Sequence, residues 1–553
     1  MSSPCSAWNY LKCSPQGGWA GVRIRSLKAA GLLVVLSILA VTANWRCTAS
    51  QQSDSAEEFF NSTNLLTFSV ELDEAAFEQL TEHPRTYVRG RVRVGEQVWE
   101  QVGIRLKGSG TFQPVYERPS LTLKFNWKEA GQRFAGLNKL LLENSGQDAT
   151  RMCKLIANAA YSDAGIAAPR ITHARVLLNG RDLGRYVVSE AINKQFLKAH
   201  FGDDSGNLYE ADFRDINRML KQANGAPGDQ SDLRSLARAA AVTNGTERLE
   251  ALGRILDTDE FLNYLALEMI LANWDGYAFY QNNYRLYHDP ASGRITFIPH
   301  DLDNTLFESG MCLMPPRNGL LTGALLDTTE ARQAFRARVE RLAPKILDAE
   351  RIKERVNASI ARLSQGMSSQ ALTRLQEQAA LLETRAAERL DHIRNELAGR
   401  RPQTPEFDSS GVARLSGWTS KSDWNGAEVR TEFEDDLVSY WIDAERGYCF
   451  GSWRLPVWLP AGRYRVEGSA RVRGVAGLPS QTGSGAGLRV IGTRRGSGLQ
   501  GDCSRWTLVR YDFTVQPDCE WVELIAELRA FSGSAWFDPD SLRLTRLSKT
   551  TRP

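Results

Sequence analysis

The chain has 553 residues, too many for one hydrophobic core, so two or three domains are expected. With 42% hydrophobic and 24% charged residues and a formal charge of +3, it reads as globular, which excludes a disordered chain and gives no electrostatic reason to expect nucleic acid or a strongly acidic partner. No Cys-x-x-Cys pair or His-rich cluster points to zinc, and the eight cysteines are too scattered to define a disulfide framework.

Residues 29–45 carry no charge and follow Arg23, Arg25 and Lys28. The run falls short of the roughly 20 apolar residues of a comfortable spanning helix, and Val41-Thr-Ala43 offers the small residues of a cleavage site. Residues 1–47 therefore read as a signal peptide, with an uncleaved membrane anchor as the alternative. On either reading the rest is exported, whether secreted, periplasmic or anchored at its N-terminus. Residues 48–64 read as a polar linker.

Strands dominate from Leu65 to Phe125. Val102-Gly-Ile-Arg-Leu-Lys107 and Leu121-Thr-Leu-Lys-Phe125 alternate, with Arg105, Lys107 and Lys124 opposite the apolar face. Gly108-Ser-Gly110 between them would let backbone N–H groups approach a phosphate; as a plain turn it would be unremarked. Asp148 is expected to cap a helix over 149–162, stopped by Gly165 and Pro169. A hairpin follows: His173–Leu178 and Gly184–Ser189 flank Asn179-Gly-Arg-Asp182, and Glu190 ends the second strand. Beyond come a short helix at Lys194–His200, a strand at Asn207–Glu210 and a loop at 222–232. Residues 233–273 and 326–399 are predominantly helical.

Between those helical blocks lies the richest stretch. Asn283–His288 and Arg294–Pro299 are β-branched and aromatic and flank Asp289-Pro-Ala-Ser-Gly293, which predicts a hairpin with His288 facing Arg294 and Asn283 facing Pro299. Asn283, Asp301 and Asp303 then crowd one end, and an apolar helical period over Asp259–Asn273 delivers Asp275 to them. One amide and three carboxylates at such range call for a cation, and oxygen ligands point to Mg²⁺ or Mn²⁺.

From Pro405 the composition shifts. Eight of the 14 tryptophans (418, 424, 441, 453, 458, 506, 521 and 536) lie here among short alternating runs separated by Gly, Pro and Asp, as in an all-β jelly-roll sandwich over 405–548. Exposed tryptophans would stack on sugar rings as in carbohydrate-binding modules; tryptophans filling the core are the plainer expectation. Cys503 and Cys519 pair in an oxidising compartment or stay two buried thiols.

Taken in order, Ile104-Arg-Leu-Lys-Gly-Ser, Ser120-Leu-Thr-Leu-Lys-Phe125, Leu137-Asn-Lys-Leu, Asp148–Met152, the run Asn179–Glu190, Asn207-Leu-Tyr-Glu, Asn273-Trp-Asp-Gly, Asn282-Asn-Tyr-Arg-Leu-Tyr287 and Phe297-Ile-Pro-His-Asp-Leu-Asp303 resemble the CotH-like (spore coat protein H) atypical protein kinases over about residues 65–400. The resemblance implies an α+β fold: a two-lobed atypical protein-kinase-like domain, a β-rich N-lobe over a helical C-lobe, here followed by the sandwich. It implies that Asp275 accepts the proton of a substrate hydroxyl, that Asn283 and Asp301 hold metal with Asp303 as a further or outer ligand, that Lys124 or Lys107 pairs the phosphates of ATP or another nucleoside triphosphate, and that Glu190 sits by the base or ribose. The implied activity is phosphate transfer to a protein hydroxyl on an unknown substrate, the chain itself among the candidates. Because ATP is scarce outside the cytoplasm, the competing expectation is a non-catalytic surface or periplasmic binding protein that uses the metal site structurally and grips polysaccharide or a partner through the sandwich. Departures are visible: Asn283 follows Asp275 by eight positions where ordinary protein kinases place it about five on, no glycine-rich loop of the usual kind is present, helix 149–162 holds no glutamate, and His300 stands where the family usually has tryptophan.

Overall fold

A computed structural model describes residues 55–547 apart from 425–426, 435–436, 445–448, 478–482, 494–495 and 497. The described residues from 58 onward form one compact unit. The segment read as signal peptide or anchor, with Cys5, Cys13 and Cys47, lies outside the described residues. Among the described residues no helix is long and apolar enough to cross a membrane. Residues 55–61, read as linker, are helical, with Ala56, Phe59 and Phe60 buried.

Strands are numbered in chain order. A closed barrel runs β1 (Leu66–Glu71), β2 (Val88–Val94), β3 (Gln97–Lys107), β4 (Ser120–Lys124), β5 (Lys139–Glu143), β7 (Arg181–Glu190) and β6 (Ile171–Leu178), and a parallel β1–β6 pair shuts it. Alternation decides which side chains fill it: Ile104, Leu106, Leu121, Leu123, Leu140 and Leu142 are wholly or almost wholly buried. The same alternation throws Arg105, Lys107, Lys124, Lys139 and Glu143 onto the outer face, because Lys124 pairs with Gly103 and Lys139, and Lys107 with Ser120. The β6–β7 turn is the predicted Asn179-Gly180, both residues at positive φ.

The expected helix at 149–162 starts four residues late and spans Cys153–Asp163. Asp148 still serves its N-terminus, but at longer reach. One oxygen accepts from the Thr150 N–H and hydroxyl, the other from Cys153 N–H at 2.9 Å, which folds 148–152 into a turn. The helix Lys194–Phe201 follows the expectation, with Asn193 as N-cap.

Beneath the barrel stands a second sheet in the order β11 (Arg294–Pro299), β10 (Tyr284–Asp289), β8 (Asn207–Glu210), β9 (Lys221–Asn224). The loop expected at 222–232 thus opens with a short strand. Helices at Ser231–Ala240, Gly245–Gly253, Thr258–Ile270, Leu320–Leu325, Thr329–Ile346, Ala349–Leu363 and Ser369–Leu397 complete the region. The guanidinium of Arg389, on the last of these, is fully buried and donates to the carbonyls of Met269, Ile270, Ser309 and Met311. It satisfies carbonyls at the end of helix Thr258–Ile270 that lack intrahelical partners.

The C-terminal part is a two-sheet sandwich. One sheet orders β12 (Val412–Arg414), β22 (Arg543–Leu547), β17 (Gly462–Ala476), β21 (Ser532–Phe537), β15 (Leu437–Asp443) and β14 (Glu428–Glu434), with β19 (Gly501–Val515) also on β17; the other orders β13 (Thr419–Trp424), β16 (Cys449–Trp458), β20 (Trp521–Ala530) and β18 (Gly485–Val490). Their core contains Ile442, Leu455, Val466 and Leu524. Trp418, Trp441, Trp453 and Trp536 are buried, while Trp506 is 40% exposed. Arg430 covers the Trp441 ring at 3.9 Å and Arg471 covers Trp536 at 5.0 Å.

The cysteines correct one expectation. Cys519, in the β19–β20 turn, bonds to Cys312 across a Cα separation of 5.6 Å; Cys503 is a free, half-buried thiol and Cys153 a free, buried one. The sandwich is further tied to the helical region by buried Arg489, which pairs with Glu308 at 2.9 Å and Glu527 at 2.6 Å, and by Lys421 with Glu388 at 2.7 Å.

Candidate active site at the seam of barrel and helices

Helix Thr258–Ile270 starts at the Asp257 cap and carries one charge among its last ten residues, Glu268, which is fully buried. Its two oxygens accept the backbone N–H groups of Tyr277 and Ala278, each at 2.8 Å, so the helix end grips the loop that presents Asp275. Gly276 is required here: a Cβ would stand 2.2 Å from a Glu268 oxygen and 2.6 Å from Asn273 Nδ2. Burial pushes the Glu268 carboxyl up to about 7, against the two backbone hydrogen bonds.

Asp275 is held between two amides, Asn282 Nδ2 at 3.2 Å and Asn283 Nδ2 at 2.9 Å. Burial pushes its carboxyl up to about 6 and these hydrogen bonds hold it down; the charge of Asp301 adds to the rise. The hairpin register differs from expectation by one residue, since Asp289 faces Arg294 and Tyr284 faces Pro299. The turn is four residues long: Asp289 accepts from Ala291 and Ser292 N–H, and Gly293 takes positive φ. His300 N–H then donates to Asn283 O at 3.0 Å, which sets Asn283 beside Asp301. Ala272, Gln281, Asn283, Asp301 and Leu306 all adopt positive φ, a concentration of left-handed non-glycine backbone around one spot, as functional sites hold strain.

From the barrel side comes a cationic wall. Lys107 and Lys154 flank Glu143: Lys107 Nζ contacts one oxygen, Lys154 Nζ the other at 2.6 Å, and Ser189 Oγ donates to that same oxygen at 2.5 Å. Lys154 also reaches Asp301 Oδ1 at 3.3 Å and joins barrel to hairpin. Burial alone would raise Glu143 and lower Lys154; their mutual attraction wins, so Glu143 lies well below and Lys154 above the ordinary range. Burial likewise acts to raise Asp301, but Lys154 and Lys107 hold it below its usual value, whereas burial and the charge of Asp301 push Asp303 well above. Alongside, Lys139 is pushed down to about 8 by burial and by Arg105, Lys124 and Arg285.

The structure thus gathers Asp275, Asn283, Asp301, Asp303 and Lys107. Lys124 lies on the same barrel face, its Nζ 5.8 Å from the Tyr87 ring. Glu190 pairs with Leu140 and so points to the other face, where both its oxygens are taken by the Arg170 guanidinium at 2.9 and 2.8 Å. Sequence reasoning missed Glu143, Lys154 and Glu268. Each had a signal: a lone charge in an otherwise apolar run, Leu140-Leu-Leu-Glu143, Met152-Cys-Lys-Leu-Ile156 and Leu265-Ala-Leu-Glu-Met-Ile270.

Among the described residues no three His, Cys, Asp or Glu side chains are grouped to hold a metal. The oxygens that are present still suit Mg²⁺, which takes one or two carboxylates and completes its shell with water and substrate phosphates. Asn283 commits its N–H₂ to Asp275, leaving Oδ1 free to ligate a metal, and Asp301 and Asp303 add carboxylate oxygens.

A β-barrel over helices, with an amide-held carboxylate and a cluster of Glu143, Lys107, Lys154 and Asp301 at their seam, makes an α+β domain. The chain belongs to the CotH kinase protein family, whose model matches residues 104–402. It is 22% identical over 252 residues to the inner spore coat protein H of Bacillus subtilis, covering 42% of this chain and 69% of that protein. It is 24% identical over 192 residues to invasin CotH7 of Rhizopus delemar, covering 32% of this chain and 32% of that protein, so it spans about a third of the fungal protein's length. Among solved structures, TmCBM61 in complex with β-1,4-galactotriose (14% identity, 24% of this chain, 91% of that chain, TM-score 0.17) and the xylan-binding module CBM15 (11%, 24% and 95%, TM-score 0.18) are similar at a level that carries no argument.

Proposed function

We propose that the barrel and the helices act as the two lobes of an atypical kinase, followed by a jelly-roll sandwich, and that the chain transfers the terminal phosphate of a nucleoside triphosphate to a protein hydroxyl. The observation that carries this reading is Asp275 held between Asn282 and Asn283, its carboxyl pushed up to about 6 and within the field of Asp301. A carboxylate with its pKa near neutrality suits a general base. The hydroxyl oxygen forms the new bond to phosphorus, its proton passes to Asp275, and the bond from phosphorus to the leaving diphosphate oxygen breaks. Lys154 and Lys107 face the phosphates while Glu143 fixes their ammonium groups; the shared contact with Glu143 favours Lys107 over Lys124 at this position. Lys139, Arg105, Lys124 and Arg285 supply the wider positive field. Mg²⁺ or Mn²⁺ on Asn283, Asp301 and Asp303 would supply charge neutralisation of the phosphates. Glu190, on the other face with both oxygens engaged by Arg170, would reach a base or ribose only on release from that pair.

Relatives named for a spore coat and for invasion support an exported, surface location. Labelled-phosphate transfer by the wild type and by Asp275→Asn is the test: transfer by the first alone is expected, and equal transfer by both removes Asp275 from catalysis. Nucleotide affinity that falls on withdrawing Mg²⁺ in the wild type, but not in Asp301→Ala, is expected of the metal set. A second reading, polysaccharide binding by the sandwich, is favoured by Trp506, which is partly exposed with Arg471 5.0 Å over its ring. A glycan array probed with the full chain and with Trp506→Ala tests it.

A further inference from the structure

Where the sandwich meets the helical region there is a cleft of about 370 Å³. One wall is the end of the short helix Tyr277–Tyr280, through Phe279 and Tyr280; a second is the loop Met311–Asn318; the third is the sandwich, through Ile491, Val515 and Trp521. The lining is predominantly apolar, and Arg317, Asn318 and Thr514 lie exposed at its edge. The volume falls within the roughly 300–1,000 Å³ range of specific ligand sites.

Two features tie this cleft to the loop that carries Asp275. The helix that provides Phe279 and Tyr280 begins two residues after Asp275 and is pinned by Glu268, and the Tyr280 ring lies 6.2 Å from that of Trp274, the residue before Asp275. The loop wall is fastened to the same helix, because Leu321 N–H donates to the Tyr277 hydroxyl at 3.1 Å and Gly319 lies against its ring. The walls are also fixed in place: the Cys312–Cys519 disulfide and the Arg489–Glu308 pair bind the sandwich to the helical region beside the opening. A rigid apolar recess walled by the helix that begins two residues after Asp275 is placed to select what carries the acceptor hydroxyl.

We propose that this cleft receives a large apolar side chain of the phosphoacceptor polypeptide and so sets its sequence preference. The proposal rests on the phosphotransfer reading above. Burial of one such side chain is worth at least about tenfold in kcat/KM. The test uses the full chain and short serine peptides in a Gly/Ala background, with one phenylalanine stepped through the positions flanking the serine. The wild type is expected to prefer peptides with phenylalanine at one particular spacing by about tenfold or more, and Thr514→Trp, which fills the cleft mouth from an exposed position, is expected to bring that ratio close to one. Gln516→Trp, at another exposed point of the rim, repeats the comparison should the first variant fold poorly. Absence of a preferred spacing, or a preference that survives both variants, overturns the proposal. Calorimetry with the preferred peptide, its serine replaced by alanine, separates the two readings. Binding lost in the variants but with no phosphate transfer to any peptide leaves the cleft a peptide site and removes the kinase. Transfer with no such binding removes the cleft. Equal binding of any amphiphile, whatever its peptide backbone, also overturns it.

Discussion

Glu268→Gln isolates the group that holds the Asp275 loop. In the folded protein its carboxyl is pushed up to about 7 from 4.5. A raised value means that its stabilising contribution is fully present below about 4.5 and is lost as pH rises through about 7. The 2.5-unit difference, 7 minus 4.5, corresponds to about 3 kcal/mol at roughly 1.4 kcal/mol per unit. Glutamine keeps the shape but does not titrate, so this share of the pH dependence disappears. Urea unfolding of both proteins between pH 5 and 9 measures it. Near pH 5, where Glu268 is protonated, the two should be about equally stable. Near pH 9 the variant should be more stable by up to about 3 kcal/mol, yet poorer in phosphate transfer, because its amide accepts only one of the Tyr277 and Ala278 N–H groups and the loop loosens. Stability curves that run parallel across the range would refute the reasoning.

Lys154→Met leaves Glu143 with one cation and Asp301 with none in contact; urea unfolding at pH 7 should show a loss of about 3–5 kcal/mol, and a loss below about 1 would contradict the bridge. The same variant should lose stability at higher pH on acidification than the wild type, because Glu143 is held low by the two lysines and its contribution disappears as pH falls through its folded value. Gly276→Ala should cost about 1–3 kcal/mol and lower phosphate transfer, since its Cβ overlaps Glu268 and Asn273; an unchanged melting temperature would contradict the contact. Peptide mapping without reductant should recover Cys312 joined to Cys519 and Cys503 as a free thiol, and a Cys503–Cys519 peptide would overturn the pairing.

Elements with strong local patterns were legible. The Asn179-Gly180 turn, the apolar faces of β3 and β4 and the hairpin β10–β11 follow from alternation and turn chemistry alone. Boundaries set by side-chain hydrogen bonds were not: Asp148 reaching past Thr150 to Cys153 delays a helix, and Asp289 capping Ala291 and Ser292 shifts the hairpin by one residue. Asp275, Asn283, Asp301 and Asp303 could be brought together from one stretch because a hairpin end is a short-range object. Lys154 and Glu143 meet Asp301 only once a barrel closes over it, and no local period encodes that meeting. Cys312 and Cys519 likewise lie 207 residues apart and share no local signal.

The sheet of the first half closes on itself through β1 and β6, so it has no border strand that can peel away or recruit a stray chain. Its outward lysines and Glu143 are consequently carried as one rigid plate. Any separation of that plate from the hairpin would have to part Lys154, which pairs with Glu143 of the plate, from Asp301.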